Sequence, residues 1–247
     1  TTLFRSAKER AKKMERTIDD QLVELRYRNI MKDVLHSGNL YGTGILKGPM
    51  VNIKSSVSYK HDPDSQEWLL QYVDNLTPFA ESVSIWDIFP DLSATVSEDC
   101  NFICQRHKMG KHKLIQLADR SDFDGNAVHE YLKAQEQGDF EEQHYDLAIQ
   151  ALGGLSETNT EQPDNKKYEV VEFWGYLDAT DLEQAGVTIP DDKKGSIQLA
   201  ANVWVLGERV IKVCLVPIEG ITWPYYFYYY DKDESSIFGQ GIASIMR

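Results

Sequence analysis

The stretch PYYFYYYDKDESSIFGQG, from Pro224 to Gly241, places six aromatic residues in a row before a charged segment and a Gly-Gln-Gly. Six consecutive aromatic side chains cannot form one polar and one apolar strand face, so a strand here is aromatic on both sides. Tyrosine suits such a strand because its ring buries area while its hydroxyl still reaches a partner or water. We therefore expect a strand that is covered on both faces, by other layers of the protein or by another subunit.

The composition is typical of a globular protein. The chain has 247 residues, of which 42% are hydrophobic and 26% charged, and its formal net charge is -13. This length can bury a sizeable core, and the composition argues against a disordered or fibrous chain. The acidic charge disfavours tight non-specific binding to nucleic acid or to an anionic membrane. Three cysteines are too few for a disulfide scaffold and favour a reducing compartment.

The apolar pattern predicts neither a membrane span nor a secretory signal. No apolar run approaches the roughly 20 residues that a span requires, and the first residues lack a signal pattern. The chain begins at Thr1 inside a helical pattern, and it ends at Arg247 after GIASIMR has begun another one. We therefore expect the sequence to be a fragment of a longer protein.

Hydrophobic periodicity predicts an α+β fold in a single domain over residues 1–247. Four regions follow one another: an N-terminal helical region over 1–37, a mixed core over 38–120, a helical insertion with a mobile polar loop over 121–167, and an antiparallel sheet over 168–247. The predicted sheet strands are YEVVEFWGYLD, IQLAANVWVLG, ERVIKVCLVP and PYYFYYYD.

Several local signals refine these regions. One long N-terminal helix is expected to stop at Ser37-Gly38. Strand-like segments flank DPDSQEW, which predicts a hairpin turn. Helical spacing predicts a helix over residues 111–120 and two more in NAVHEYLKAQEQ and FEEQHYDLAIQALGG. A tight turn is expected at Gly207-Glu208, and Thr180 is expected to cap a short helix.

Four residues have a spacing that suggests zinc binding. Cys100, Cys104, His107 and His112 form the pattern C-x3-C-x2-H-x4-H, and four soft ligands this close could complete a tetrahedral site. The alternative is a half-buried strand with Cys100 and Cys104 on one face, which leads into a solvated basic turn that contains both histidines.

Two other motifs have a catalytic and a structural interpretation. YGTGILKG, from Tyr41 to Gly48, approaches a phosphate-binding loop, but its glycines follow a helix and lead into a strand, the reverse of the dinucleotide fingerprint. A tight backbone crossing that requires glycine explains it better. DKDE, from Asp231 to Glu234, could hold a divalent metal or could be solvated charge at a strand end. We assign no catalytic, cofactor-binding or metal-binding residue, and predict no cofactor.

Three stretches in this order carry a family resemblance: DVLHSGNLYGTGILKGP (33–49), VSIWDIFPDLSATVSEDCNFICQRHKMGKHKLIQL (83–117) and VIKVCLVPIEGITWPYYFYYYDKDESSIFGQGIASIMR (210–247). Together they resemble the portal, or head-to-tail connector, proteins of tailed bacteriophages, most closely those of short-tailed phages. In that family the third element leads into a Gln-rich stem helix, and the present sequence stops before such a helix.

The resemblance implies a structural protein without enzymatic activity. The chain would be a wing-domain fragment of a ring, usually of twelve copies, through which a separate terminase ATPase drives double-stranded DNA during packaging and through which DNA is later ejected. Implied partners are sister subunits, terminase, major capsid and scaffolding proteins, and tail or adaptor proteins, with no membrane and no sequence-specific DNA contact. The implied location is the portal vertex of the virion, with the host cytoplasm during assembly.

Two alternatives belong to other functional classes. A divalent-metal-dependent phosphodiesterase or nuclease would use Asp231, Asp233 and Glu234. A zinc-stabilised binding module would instead use the two cysteines and two histidines described above.

Overall fold

A computed structural model of the chain describes residues 2–61, 68–135, 138–139, 145–146, 148–149, 166–191, 193, 195–216 and 222–246. The fold is α+β with antiparallel sheets, as predicted. The chain divides into two compact units, where the sequence predicted a single domain. The first unit comprises Thr1–Ile85, Pro224–Asp233 and Phe238–Arg247, and the second comprises Trp86–Trp223 and Glu234–Ile237. Because the first unit is assembled from distant parts of the chain, no single linker marks the boundary.

The described elements are numbered here in chain order. The helices are α1 (Thr2–Glu24), α2 (Tyr27–Tyr41), α3 (Lys111–Ala118), α4 (Gly125–Ala134), α5 (Ala179–Gln184) and α6 (Ile242–Ile245). The strands are β1 (Thr43–His61), β2 (Trp68–Val83), β3 (Ile88–Pro90), β4 (Phe102–Gly110), β5 (Lys167–Asp178), β6 (Gln198–Leu206), β7 (Arg209–Leu215) and β8 (Tyr225–Tyr229).

The first unit contains a three-stranded antiparallel sheet in the order β2-β1-β8. The aromatic strand β8 pairs with the start of β1, with Thr43 opposite Tyr229 and Lys47 opposite Tyr225. The prediction that this strand belongs to the sheet over residues 168–247 is therefore wrong. The partner of β8 is a strand that lies far upstream in the chain, and not one of its neighbours in sequence.

The N-terminal helical region consists of two helices, not the one long helix predicted. The break lies at Arg26, which has a left-handed backbone with φ of 53°. The second helix also extends past the predicted stop, because Gly38 lies inside it and Gly42 forms its C-cap with φ of 91°. Gly38 permits close packing: a Cβ there would lie 2.4 Å from the ring of Tyr228. The predicted stop was wrong because this glycine serves packing, while Gly42 ends the helix.

The second unit contains a five-stranded antiparallel sheet in the order β3-β4-β5-β6-β7. Helices α3 and α4 pack on it around one core cluster: Leu114, Phe123, Val128, Leu132, Tyr168, Val170, Leu206 and Ile211. A second cluster involves α5: Leu182, Ile189, Leu199 and Ala201. The sheet strands β5, β6 and β7, the turn at Gly207-Glu208 and helices α3 and α4 confirm the sequence predictions.

Some local predictions are wrong or lie outside the described residues. Thr180 does not cap α5, because the N-cap position is Asp178 and no side chain caps that end. The hairpin turn within DPDSQEW lies almost entirely outside the described residues, although β1 and β2 pair up to His61 and Trp68 as a hairpin requires. The helix predicted in FEEQHYDLAIQALGG and the loop predicted over residues 154–167 also lie largely outside them.

Candidate functional site

The β1–β2 hairpin exposes an apolar surface, which we call the ribbon face. It consists of five side chains that are 48–73% exposed: Val51, Val57, Tyr59, Leu70 and Leu76. The three β1 residues lie at odd positions and therefore share one side of the strand. Tyr59 is paired with Leu70, and Leu76 is paired with another odd position of β1, residue 53. Directly opposed residues of an antiparallel pair lie on the same face, so all five belong to one surface.

The opposite side of the hairpin is polar, which makes the ribbon amphipathic. Asn52, Ser58 and Lys60 lie at the intervening β1 positions and are exposed, and Thr77 is paired with Asn52. A two-stranded hairpin is marginally stable by itself in water, and exposed apolar side chains that gather on one side of it are typical of an interaction site. On that apolar side of β1, Ser55 separates Val51 from Val57 and Tyr59. The alternation of apolar and polar residues in VNIKSSVSYK could have revealed this surface, but the sequence analysis predicted only the strands.

A second exposed apolar surface, the helix stripe, runs along α1. Met14, Ile18 and Leu22 recur every four residues and are 37–67% exposed. Residues at this spacing lie on one side of a helix, which is the pattern of a helix that packs against a partner. Charged residues of both signs flank the stripe: five Lys or Arg and two Glu residues occur between Lys8 and Arg16, and Asp19, Asp20 and Glu24 follow.

The two faces of the aromatic strand β8 are covered to different extents. Tyr225 is buried, and the ammonium of Lys47 lies 5.6 Å from the centre of its ring. Lys47 is itself buried and lies 3.6 Å from a carboxylate oxygen of Glu81. Tyr226 and Tyr228, on the other face, are 46% and 37% exposed. Both faces of β8 thus have a cover in the single chain, which is incomplete on the side of Tyr226 and Tyr228: the Tyr228 ring lies against Gly38 of α2, and Tyr226 lines a cavity with Leu22.

A cavity of about 310 Å³ lies where the helix stripe meets the base of this sheet. Its lining consists of Leu22, Leu25, Tyr27, Leu46, Gly48, Pro49, Ala80 and Tyr226. The side chains are apolar or aromatic, and the cavity contacts both the helix stripe through Leu22 and the exposed face of β8 through Tyr226. The apolar surfaces of the first unit are therefore adjacent at this point.

The four candidate zinc ligands are engaged in other contacts. His107 Nε2 lies 2.8 Å from Glu172 Oε2, while the ring of His112 lies on α3 beside Gln116. Burial raises the pKa of the Cys100 thiol to about 11 and also raises the pKa of Cys104. Within the described residues, no three His, Cys, Asp or Glu side chains form a group that could hold a metal ion.

The carboxylates of the alternative phosphodiesterase site, Asp231, Asp233 and Glu234, follow β8 in the chain. Asp231 forms a backbone bridge with Gln240, whose side-chain amide also donates to Asp233 Oδ2 at 3.4 Å. Glu234 is exposed and belongs to the second unit. The acidic segment thus forms a turn that is closed by Gln240, and the described carboxylates do not form a group that could hold a metal ion.

The glycine-rich segment from Tyr41 to Gly48 is a backbone crossing, as the structural interpretation predicted. A Cβ on Gly44 would lie 2.1 Å from the carbonyl oxygen of Val34 in α2. The Thr43 hydroxyl accepts a 2.8 Å hydrogen bond from the backbone N–H of Gly239. The segment therefore joins α2, β1 and the C-terminal part of the first unit at close range.

The second unit contains a buried charge cluster that the sequence did not predict. Arg106 lies in β4 and is buried, although the sequence predicted a solvated basic turn there. Its Nη2 donates to Asp87 Oδ1 at 2.9 Å and to the buried Asp146 Oδ1 at 3.3 Å, and Lys108 also contacts Asp146. The Arg106 guanidinium lies 5.1 Å from the ring of Tyr145. Two carboxylates compensate the buried cation, so the cluster stabilises the unit as a set of paired charges.

A second polar network lies beside it on the sheet. Glu172 in β5 is almost fully buried and accepts hydrogen bonds from Trp174 Nε1 at 2.8 Å and Asn202 Nδ2 at 3.3 Å. Its other oxygen contacts His107, whose ring stacks on Trp204 with centroids 5.1 Å apart. These partners come from β4, β5 and β6, so the network fixes the register of three strands. The sequence gives no short-range signal for it because the partners are distant in the chain.

The turn after β3 holds a strongly hydrogen-bonded carboxylate. Asp91 accepts from the Ser93 hydroxyl at 2.6 Å and the Ser93 backbone N–H at 2.9 Å, and from the Asn101 side chain at 2.8 Å. The hydrogen bonds from Ser93, supported by those from Asn101, lower the pKa of Asp91 to about 2. The carboxylate is therefore ionised at neutral pH and joins this turn to the start of β4.

Comparison with known proteins leaves the family of the chain open. No protein-family model matches the sequence, and no curated protein matches it significantly. In the described part of the chain, no helix combines the length and apolarity of a bilayer-crossing segment. The surfaces of the first unit are the features from which a function can be argued.

Proposed function

We propose that the chain is a structural assembly subunit of the portal type, one copy of a ring through which bacteriophage DNA is packaged and ejected. The ribbon face carries this proposal. Its five apolar side chains, 48–73% exposed, require a partner surface, and sister subunits supply one in a ring. Each subunit of a closed ring buries one patch against a different patch of its neighbour.

The exposed face of β8 supports the same function. Tyr226 and Tyr228 combine apolar rings with hydroxyl groups, a chemistry that is common at protein interfaces. The resemblance of three ordered sequence stretches to portal proteins gives the assembly its proposed identity. The partners that follow from this proposed identity are terminase, capsid, scaffolding and tail proteins.

The acidic charge fits a passive conduit for DNA. A net charge of -13 per copy disfavours the release of counterions that gives basic proteins their affinity for phosphate. Duplex DNA then passes through the ring without adhering to it. The motor that drives the DNA is a separate terminase ATPase in this proposal.

Native mass spectrometry and electron microscopy of the purified full-length protein test the proposal. We expect closed rings of uniform copy number, and no retention of duplex DNA on the protein at about 0.15 M salt, where exposed charges are screened beyond about 8 Å. A protein that stays monomeric at high concentration contradicts the assembly function. Tight salt-sensitive binding to duplex DNA contradicts the passive conduit.

A further inference from the structure

We propose that the ribbon face of one copy is covered by the helix stripe of α1 from a second copy. The inference rests on the proposed function, since it requires copies of the chain to associate, and it names the two surfaces that meet. Within one copy both surfaces are exposed, with Leu76 at 73% and Met14 at 67%. The chain therefore does not cover the ribbon face with its own α1.

The dimensions of the two surfaces match. The nine residues from Val51 to Tyr59 span about 30 Å as a strand, and the 23 residues of α1 span about 35 Å as a helix. A helix is about 10–12 Å across with its side chains, and two paired strands with their side chains are of similar width. One helix can thus lie along the ribbon and cover both strands.

The area of such a contact is sufficient for a specific interface. Half the surface of a helical cylinder of this length is on the order of 500 Å². The ribbon buries a similar area, so one contact buries about 1,000 Å² in total, the size that specific interfaces reach. In a ring every copy makes the contact twice, once with its ribbon and once with its α1.

The charge of α1 allows a copy of this chain as the occupant. The helix carries six basic and five acidic residues, so it is close to neutral, although the whole chain has a net charge of -13. A nearly neutral helix approaches an acidic copy without strong repulsion. The long Lys and Arg stems also extend the apolar cover while their charged ends stay in water.

The contact is heterologous, because a ribbon meets a helix and not another ribbon. Heterologous contacts propagate around a ring, whereas an isologous contact would stop at a dimer. The inference therefore predicts that the two surfaces of one chain engage two different neighbours. This property can be measured by covalent trapping.

Cysteine trapping in the full chain tests the inference. The background carries Cys104→Ser and Cys214→Ser, since these thiols are only partly buried. Ile18→Cys combined with Val57→Cys is expected to give a ladder of covalent multimers with a short bis-maleimide, while either cysteine alone gives monomers. The matched control combines Ile18→Cys with Ser58→Cys on the polar side of the ribbon and is expected to give no ladder.

Charge substitution provides an independent measurement. Val57→Lys with Leu76→Lys is expected to reduce the assembled fraction at least tenfold in native mass spectrometry. Asn52→Lys with Ser58→Lys, on the polar side, is expected to assemble like the unmodified protein. Far-UV circular dichroism of both variants establishes that each is folded.

The outcomes separate this inference from the proposed function. Rings that form without a ladder and resist the Val57→Lys/Leu76→Lys change overturn the helix-on-ribbon contact but leave the assembly function standing. A ladder of equal strength with Ser58→Cys also overturns the helix-on-ribbon contact, because α1 would then approach the polar side of the ribbon as readily as the ribbon face. A protein that never assembles overturns both proposals.

Discussion

The β1–β2 ribbon and the β5–β6 pair are both antiparallel and both alternate apolar with other residues, yet they differ in what covers them. In β5 the alternate residues Tyr168, Val170 and Trp174 are at most 2% exposed, because α3, α4 and neighbouring strands lie against the sheet. In the ribbon, Val57 and Tyr59 are more than half exposed. Alternation therefore predicts that a strand has two different faces, but it does not predict whether the same chain covers the apolar one.

The two regions also differ in where they place charge. The five-stranded sheet buries Arg106 and Glu172, and neighbouring strands and loops supply their partners. The ribbon also carries charge, but on exposed side chains such as Lys60. A surface that is covered within the chain can accommodate buried charges, because their partners are held in place.

The largest effect is expected from removing a buried cation of the second unit. Arg106→Ala removes the buried guanidinium that pairs with Asp87 and Asp146, while Lys108 still contacts Asp146. It should lower the free energy of unfolding by about 3 kcal/mol, the lower end of the range for breaking a buried ion pair. The matched change in the ribbon, Lys60→Ala, removes an exposed cation and should change it by less than about 0.5 kcal/mol. Urea denaturation of both variants measures the difference, and equal effects would remove the contrast between the two regions.

A pair of identical substitutions isolates the contribution of burial. Val170→Ala in β5 deletes two fully buried methyl groups and should lower the free energy of unfolding by about 1.5–3 kcal/mol. Val57→Ala deletes the same groups from the ribbon and loses the same strand propensity, so only burial differs between them. We expect a cost of no more than about 1 kcal/mol for Val57→Ala, measured by urea denaturation on dissociated protein. A cost as large as that of Val170→Ala would mean that the ribbon face is already covered within one chain.

A smaller effect is expected from acid titration of the second unit. The pKa of Asp91 is about 2 in the folded protein, below the roughly 3.9 of an unfolded chain. Its contribution to stability is therefore complete above about pH 4 and is lost as the pH falls toward 2. Asp91→Asn should flatten this part of the pH dependence of the urea midpoint. Ser93→Ala should make the loss smaller, because the folded-state pKa of Asp91 then rises toward its unfolded value. An unchanged profile in both variants would contradict the hydrogen-bonded carboxylate.

Local patterns were sufficient to predict most individual elements. Strand composition and turn signals identified β1, β2, β5, β6 and β7, and helical spacing identified α3 and α4, because these signals are contained in a few consecutive residues. The break at Arg26 and the continuation of α2 through Gly38 were not predicted. Both depend on packing: Gly38 remains helical while the ring of Tyr228 lies against it. The helix propensity of a single residue predicts its conformation poorly where tertiary contacts stabilise a different one.

The candidate surfaces were only partly predictable. The aromatic run from Tyr225 to Tyr230 indicated a strand that needs a cover, and the structure shows that its exposed face includes Tyr226 and Tyr228. The odd and even positions along β1 were sufficient to predict which side chains share the ribbon face. They were not sufficient to predict that this face stays exposed. The charge clusters around Arg106 and Glu172 could not be found, because Asp146, Trp174 and Asn202 reach them from other elements.

The amino-acid sequence by itself determined which side chains share a face of each strand and of α1, since this follows from the period of each backbone conformation. It also determined the acidic charge of -13. Only the tertiary structure decided that β8 pairs with β1, that Arg106 is buried, and that the apolar side of the ribbon stays exposed. Burial and strand pairing depend on surfaces from distant parts of the chain, and no local pattern encodes which of those surfaces will meet.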